Sequence, residues 1–205
     1  MSYKKEKVWV YESKEWYDKV AKIYNTFHKK LNDRDKSIYK RFLPKDMGGM
    51  KILDIWWWDG RIISEFAGKW LEKYVLADIS EQMLKRAKNW VEKILMDAEQ
   101  KFPFEDNTFD IVLCFFTLSH IWDLSNLFEE SRRILKENWI FIVWHNIQRR
   151  DYEYNFGREK FKIKSYNYSY KDIEKMAEYN FFDINYVDLN EDNTIVLRTY
   201  CFTKK

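Results

Sequence analysis

Asp78 closes the apolar run YVLA and stands two residues before Ser80, where a helix signal opens, with Ile79 between them. A carboxylate at the end of a buried strand can accept hydrogen bonds from both hydroxyls of a ribose; the same residue would serve equally as an acidic helix opener. Asp97 and Ala98 follow the next apolar run, KILM, where the carboxylate suits an adenine amino group or a simple turn. Asp54 lies inside KILDI, Asp59 and Gly60 come soon after it, and the stretch from Thr117 to His120 leaves the run FDIVLCFF. Ligands of an open α/β sheet bind outside the carboxyl ends of its strands, so four strand ends deliver these side chains to one rim.

Short apolar runs that alternate with amphipathic ones predict βαβ units and a sheet covered on both faces. Strands are expected near 51–55, 73–78, 93–96, 109–116 and 139–144, and helices near 61–70, 80–90 and 124–136. Leu124, Leu127, Phe128, Ser131, Ile134 and Leu135 lay one stripe along the last of these helices. Upstream, Trp16, Val20, Ile23, Tyr24 and Phe27 predict a helical cap over 13–42 with Ser13 as N-cap, ended by Pro44 and Gly48-Gly49. Downstream of a polar, aromatic stretch from Gln148 to Tyr168, a helix near 169–179 precedes strands near 181–189 and 194–203, joined by a turn at 190–193.

The chain of 205 residues suits one domain: a cap (1–49), a core (50–147) and a terminal insert with hairpin (148–205). Its 36 basic and 33 acidic residues are interspersed, which argues against a nucleic-acid partner. No apolar run reaches the roughly 18 residues of a membrane span, and the MSYKK start lacks a signal-peptide core, so a cytoplasmic location is expected. Cys114 and Cys201 form neither a disulfide framework nor a zinc pattern, and no metal site is expected.

Taken together, four ordered segments resemble the class I S-adenosylmethionine-dependent methyltransferases, most closely the type 11 group. ILDIWWWDGR is similar to the family's first, glycine-rich motif, and VLADISEQML to the second-strand segment that ends in the ribose-binding acid. DAEQKFPFEDNTFDIVLC resembles the adenine-side Asp-Ala with the fourth strand, and SRRILKENWIFIV the helix and strand that follow. The resemblance implies a Rossmann-like, seven-stranded, mostly parallel sheet in the order 3-2-1-4-5-7-6, helices on both faces and S-adenosylmethionine as cofactor. It implies Asp78, with neighbouring Ile79, on the ribose, Asp97 and Ala98 near adenine, Phe115 beside the cofactor, and Tyr17 and Tyr24 as a lid over the methionine end or as buried helix-face residues. Asp54, Gly60 and the residues at 56 and 58 fall in the cofactor loop.

That loop departs from the family. Trp56, Trp57 and Trp58 stand where it has glycine, a small residue and glycine. Glycine lets backbone approach a ligand, whereas each indole carries on the order of 200 Å² of surface. The chain has 5 glycines and 10 tryptophans, against roughly 14 glycines at ordinary usage. Trp70 and Trp90 stand at helix ends where a glycine would supply the left-handed conformation, and Trp139 stands at the entry of the fifth strand.

Methyl transfer is an in-line displacement that needs positioning, with a base only when the acceptor must first lose a proton. His120 is the candidate catalytic residue or else a structural histidine; His145 is second, and His28 reads as lid surface. Aromatic residues make up 19% of the chain, and those of the lid and of 152–170 either line a pocket for a flat or lipid-like acceptor or pack on one another. Two functions follow: a methyltransferase acting on a small molecule, or an inactive binding or scaffold protein of the same fold. An RNA acceptor is disfavoured by the scattered charge.

Overall fold

The computed structural model describes residues 8–22, 39–55, 62, 66–146, 154–156 and 159–205. Its elements are β1 (Val8–Tyr11), α1 (Ser13–Val20), β2 (Lys51–Ile55), β3 (Lys73–Asp78), α2 (Glu81–Leu84), β4 (Glu92–Leu95), β5 (Phe109–Phe115), α3 (Leu124–Ile134) and β6 (Leu135–His145). They continue with β7 (Tyr154–Phe156), β8 (Glu159–Ile163), α4 (Tyr170–Tyr179), β9 (Phe182–Glu191) and β10 (Thr194–Lys204). Short 3-10 turns occupy Tyr39–Arg41 and Leu118–His120.

Seven strands form one sheet in the order β4-β3-β2-β5-β6-β10-β9. Counted from β2, this is the 3-2-1-4-5-7-6 arrangement that the resemblance implies, with β10 antiparallel to both its neighbours. Side-chain alternation sorts the strands into two cores. Leu53, Val75, Val112 and Val143 face α1, α3 and α4, whereas Ile52, Leu76, Leu113 and Ile142 face Ile62, Phe66 and the 84–91 segment. The predicted stripe on α3 is buried throughout, Ser131 included.

β2 and β3 have the predicted limits, and the hairpin turns at Asp192-Asn193, both in the left-handed region. Other elements differ. α2 ends at Leu84 instead of running to residue 90, because Arg86 and Ala87 donate to Met83 and Leu84, three residues back, and tighten the chain into turns. β6 begins at Leu135, not at 139: Leu135 already pairs with Phe109, and Asn138, at φ 66°, lies in the irregularity that shifts the register before Ile140 pairs with Ile111. The first helix is described to Val20 only, and 23–38, with Tyr24 and His28, lie outside the described residues. Ser13 is its first residue, not its cap, and Glu12 precedes it.

A second sheet, β1-β8-β7, was not anticipated. β1 runs parallel to β8 and leads into α1, whose Trp16 stacks on Phe161 of β8 at 3.8 Å. Tyr11 joins the same cluster at 5.9 Å from Phe161, so these lid aromatics pack on one another.

Polar side chains fix the parts of the core that carry loops. Arg133 donates to Glu130, Asp106 and the carbonyls of Phe102 and Phe104, bracing the FPFED loop ahead of β5. Asp110, at the opposite end of the sheet from the rim, accepts from the Lys51 N–H and the Lys136 ammonium, both at 2.8 Å.

Candidate functional site

The carboxyl ends of β2 to β5 meet at one rim because parallel pairing sets them in register. Asp54 pairs with Leu76 and Leu113, and Asp78 with Leu95. Asp78 is buried, and its Oδ1 accepts the Ser80 N–H at 2.7 Å. Ser80 caps α2 by accepting from the Met83 N–H at 3.1 Å, which fulfils the helix signal in the sequence. Its hydroxyl donates in turn to Asp18 Oδ1 of α1 at 2.6 Å. Ile79, half-buried, packs against the first core.

On the next strand end, Asp97 folds its own turn: Oδ1 accepts the Glu99 N–H at 2.9 Å, and its carbonyl accepts the Gln100 N–H. Ala98 is buried and its carbonyl is held by the Asn126 amide at 2.9 Å. Glu99 reaches across to the β5 loop, accepting from the N–H groups of Trp122 and Asp123. Asp54 lies on the second face of the sheet, where the Tyr74 hydroxyl donates to its Oδ2 at 2.8 Å. Phe115 stacks on Trp144 at 4.3 Å, both buried. Trp56, Trp58 and Gly60 lie outside the described residues, as do Trp57 and Asp59.

His120 gathers three segments. Its Nδ1 lies 3.2 Å from the Ser13 hydroxyl and its Nε2 3.1 Å from the Tyr17 hydroxyl, both on α1, while the Lys164 backbone, just past β8, adds a further bond. Burial outweighs that bond and pushes the imidazole pKa down to about 4, so the ring is neutral at pH 7. The Tyr17 ring meets it edge-on at 5.6 Å. His145 is also held below the ordinary histidine range by burial, with its Nε2 2.8 Å from the Tyr168 carbonyl. Cys114 offers no nucleophile, since burial pushes its thiol up to about 12.

The depressed His120 pKa makes stability pH-dependent in a defined window. Between the ordinary value of 6.5 and about 4 the unfolded chain binds a proton that the folded one refuses. Stability therefore falls as pH falls through that range, by roughly 3 kcal/mol for about two and a half units, and this group contributes no slope above pH 7. Urea unfolding at pH 7 and pH 4.5 should show the loss, and His120→Asn should remove most of the difference.

Sequence reasoning brought Asp78, Asp97, Ala98 and His120 to this rim but missed Ser13, Asp18 and Glu99. Ser80 was visible as a helix opener; its link to α1 was not, because nothing local to either segment encodes it. Among the described residues no cluster of histidine, cysteine or carboxylate is arranged to hold a metal ion, and no helix is long and apolar enough to cross a membrane.

A family profile for a methyltransferase domain matches residues 58–143, opening inside the tryptophan run and spanning Asp78, Asp97, Phe115 and His120. Over those residues the chain carries a type 11-like domain of the class I, S-adenosylmethionine-dependent methyltransferase kind. An uncharacterized protein of Methanocaldococcus jannaschii is 28% identical over 84% of this chain and 77% of its own length. The ubiquinone/menaquinone biosynthesis C-methyltransferase UbiE of Shewanella baltica is 29% identical over 79% of this chain and 67% of its own. Among solved structures, the PH0226 protein from Pyrococcus horikoshii OT3 superposes with a TM-score of 0.72 at 21% identity, covering 94% of this chain and 99% of that one. At that identity the likeness carries the fold alone.

Proposed function

We propose that the protein transfers the methyl group of S-adenosylmethionine to a small-molecule acceptor bound between the rim of β2–β5 and the α1 cap. The observation that carries this reading is the pair of carboxylates on adjacent strand ends: buried Asp78, and Asp97 two residues beyond its partner strand's Leu95. Their chemistry fits adenosine. A buried carboxylate is stable when donors surround it, and ribose hydroxyls and an adenine amino group are donors. Asp78, with Ile79 beside it, holds the ribose; Asp97 and Ala98 hold the adenine edge; and Asp54, Gly60 and Phe115 belong to the same cofactor site. The bound cofactor supplies the electrophilic methyl group.

The chain's own residues position and enclose. Ser13 and Tyr17 engage neutral His120 from the cap, so His120 serves this reaction by holding α1 over the rim and keeping the Tyr17 hydroxyl there. The β4 and β5 loops are tied through Glu99, and Tyr166 and Tyr168 tie the segment after β8 to the β5 loop. UbiE, by its name a C-methyltransferase of ubiquinone/menaquinone biosynthesis, supports a small-molecule acceptor. We place all of this in one methyltransferase domain, read as cytoplasmic.

The Trp56-Trp57-Trp58 run favours a second reading, a binding or scaffold protein of the same fold without activity. Incubation with methyl-labelled S-adenosylmethionine separates the two. Label recovered in low-molecular-weight extract supports a small-molecule acceptor, and label in RNA overturns it. Transfer to neither fraction, with the cofactor product still bound in a calorimetric titration, establishes the second reading.

A further inference from the structure

We propose that Asp18 is a positioning residue for the ribose end of the cofactor, acting through Ser80 on Asp78. The inference rests on the adenosine reading of the rim and adds a residue from the cap to it. Asp18 sits on α1, a different element from the acid that it serves, and three groups converge on its carboxylate. Ser80 Oγ donates to Oδ1 at 2.6 Å, Lys14 Nζ meets Oδ2 at 3.1 Å, and the Gln82 backbone N–H adds a third bond. Burial raises the Asp18 pKa, but the bonds from Ser80 and Lys14 outweigh it and hold the group below the usual carboxylate range, so it is ionised at neutral pH.

Ser80 leaves little freedom in the turn that it occupies. Its one hydroxyl proton goes to Asp18, its oxygen accepts from Met83, and its N–H donates to Asp78 Oδ1. The residue is fully buried, so each bond counts. Asp18 thereby locks the 78–83 turn and with it the orientation of the Asp78 carboxylate. A carboxylate that receives two vicinal hydroxyls must turn its plane toward them, and the bond from the Ser80 N–H to Oδ1 restricts that rotation. The same α1 helix carries Ser13 and Tyr17 to His120. Docking of the cap and aiming of the ribose acid are one event.

The test measures binding rather than turnover. S-adenosylhomocysteine and its 2′-deoxy counterpart are titrated calorimetrically into the parent chain and the Trp56→Gly/Trp58→Gly chain, each with Asp18 intact, Asp18→Ala or Asp18→Asn. Thermal unfolding is recorded for every protein. Asp18→Ala should lower affinity for the ribose compound about tenfold or more while moving the deoxy compound far less, so discrimination between them shrinks. Asp18→Asn, whose side-chain oxygen still accepts from Ser80, should restore most of that discrimination. Equal losses for both compounds, or unchanged discrimination in a folded Asp18→Ala protein, overturn the role of Asp18 and leave the cofactor reading standing. Failure of S-adenosylhomocysteine to bind either background with Asp18 intact overturns the cofactor reading and this inference together.

Discussion

Replacing Arg198 with alanine should lower the unfolding free energy by about 3–5 kcal/mol, the usual cost of removing one partner from a buried ion pair. Arg198 of β10 is only 9% exposed. Its Nε and Nη2 meet the two oxygens of Asp188 at 2.6 and 2.8 Å, a bidentate pair, and Nη1 reaches Glu174 of α4 at 2.8 Å. The guanidinium plane also lies 3.9 Å from the Tyr186 ring centre and 4.3 Å from that of Tyr170. The bond to Asp188 holds the guanidinium pKa above its ordinary value even against burial. One cation thus joins β9, β10 and α4, and its loss leaves the two part-buried carboxylates of this corner, 29% and 19% exposed, without it. Lysine keeps the charge but not the planar fork, so Arg198→Lys should recover only part of the loss. Urea unfolding at pH 7 decides; a cost under about 1 kcal/mol would show that the corner is wetter than its burial indicates.

Restoring glycine at two positions should act as strongly on the ligand. The Trp56→Gly/Trp58→Gly chain should bind S-adenosylhomocysteine about a hundredfold or more tighter than the parent, equivalent to about 2.7 kcal/mol. The argument is one of volume and backbone. The family's loop uses glycine to bring main chain against the ligand, and two indoles at those positions compete for the space that the ligand needs. Trp70, which the structure describes, stands in a backbone conformation that ordinarily takes glycine. Its φ is 55°, in the region that favours glycine, and its side chain is 88% exposed with its carbonyl holding the Gly49 N–H. An L-residue there bears a strain that glycine would not. Phe181, just past α4, repeats the pattern at φ 56° and 70% exposure. Calorimetry of both chains checks the expectation, and equal affinities would show that the indoles leave the ligand volume clear.

Much of this fold is legible locally. KILDI and KYVLAD read as strands because a parallel strand buried on both faces must be apolar over its whole length. Ser80 reads as a cap because its hydroxyl replaces a missing backbone partner. The sheet order came from resemblance, since no run of residues encodes its neighbour's place. What escaped depends on distant partners. β1 is four residues whose pairing with β8 no periodicity announces. β6 starts early because Leu135 pairs with Phe109 ahead of a register shift at the left-handed Asn138. The site divides in the same way: the rim acids follow from strand ends, whereas the Asp18–Ser80 bond and the two hydroxyls on His120 arise only when α1 docks.

That pairing of β1 with β8 also orders events in time. Val8 meets Lys160 across roughly 150 intervening residues, whereas β2, β3 and β4 join partners a few tens of residues away. Closing the longer loop costs more chain entropy and gives little in return until both ends are structured. Chain entropy therefore favours an order in which the seven-stranded sheet assembles first and the cap strand closes last, and refolding followed by hydrogen exchange should show β1 protected after β2–β5. In that order the Asp78 carboxylate is aimed only at the last step, when α1 docks and Asp18 reaches Ser80, so the rim gains its ligand geometry and its cover together.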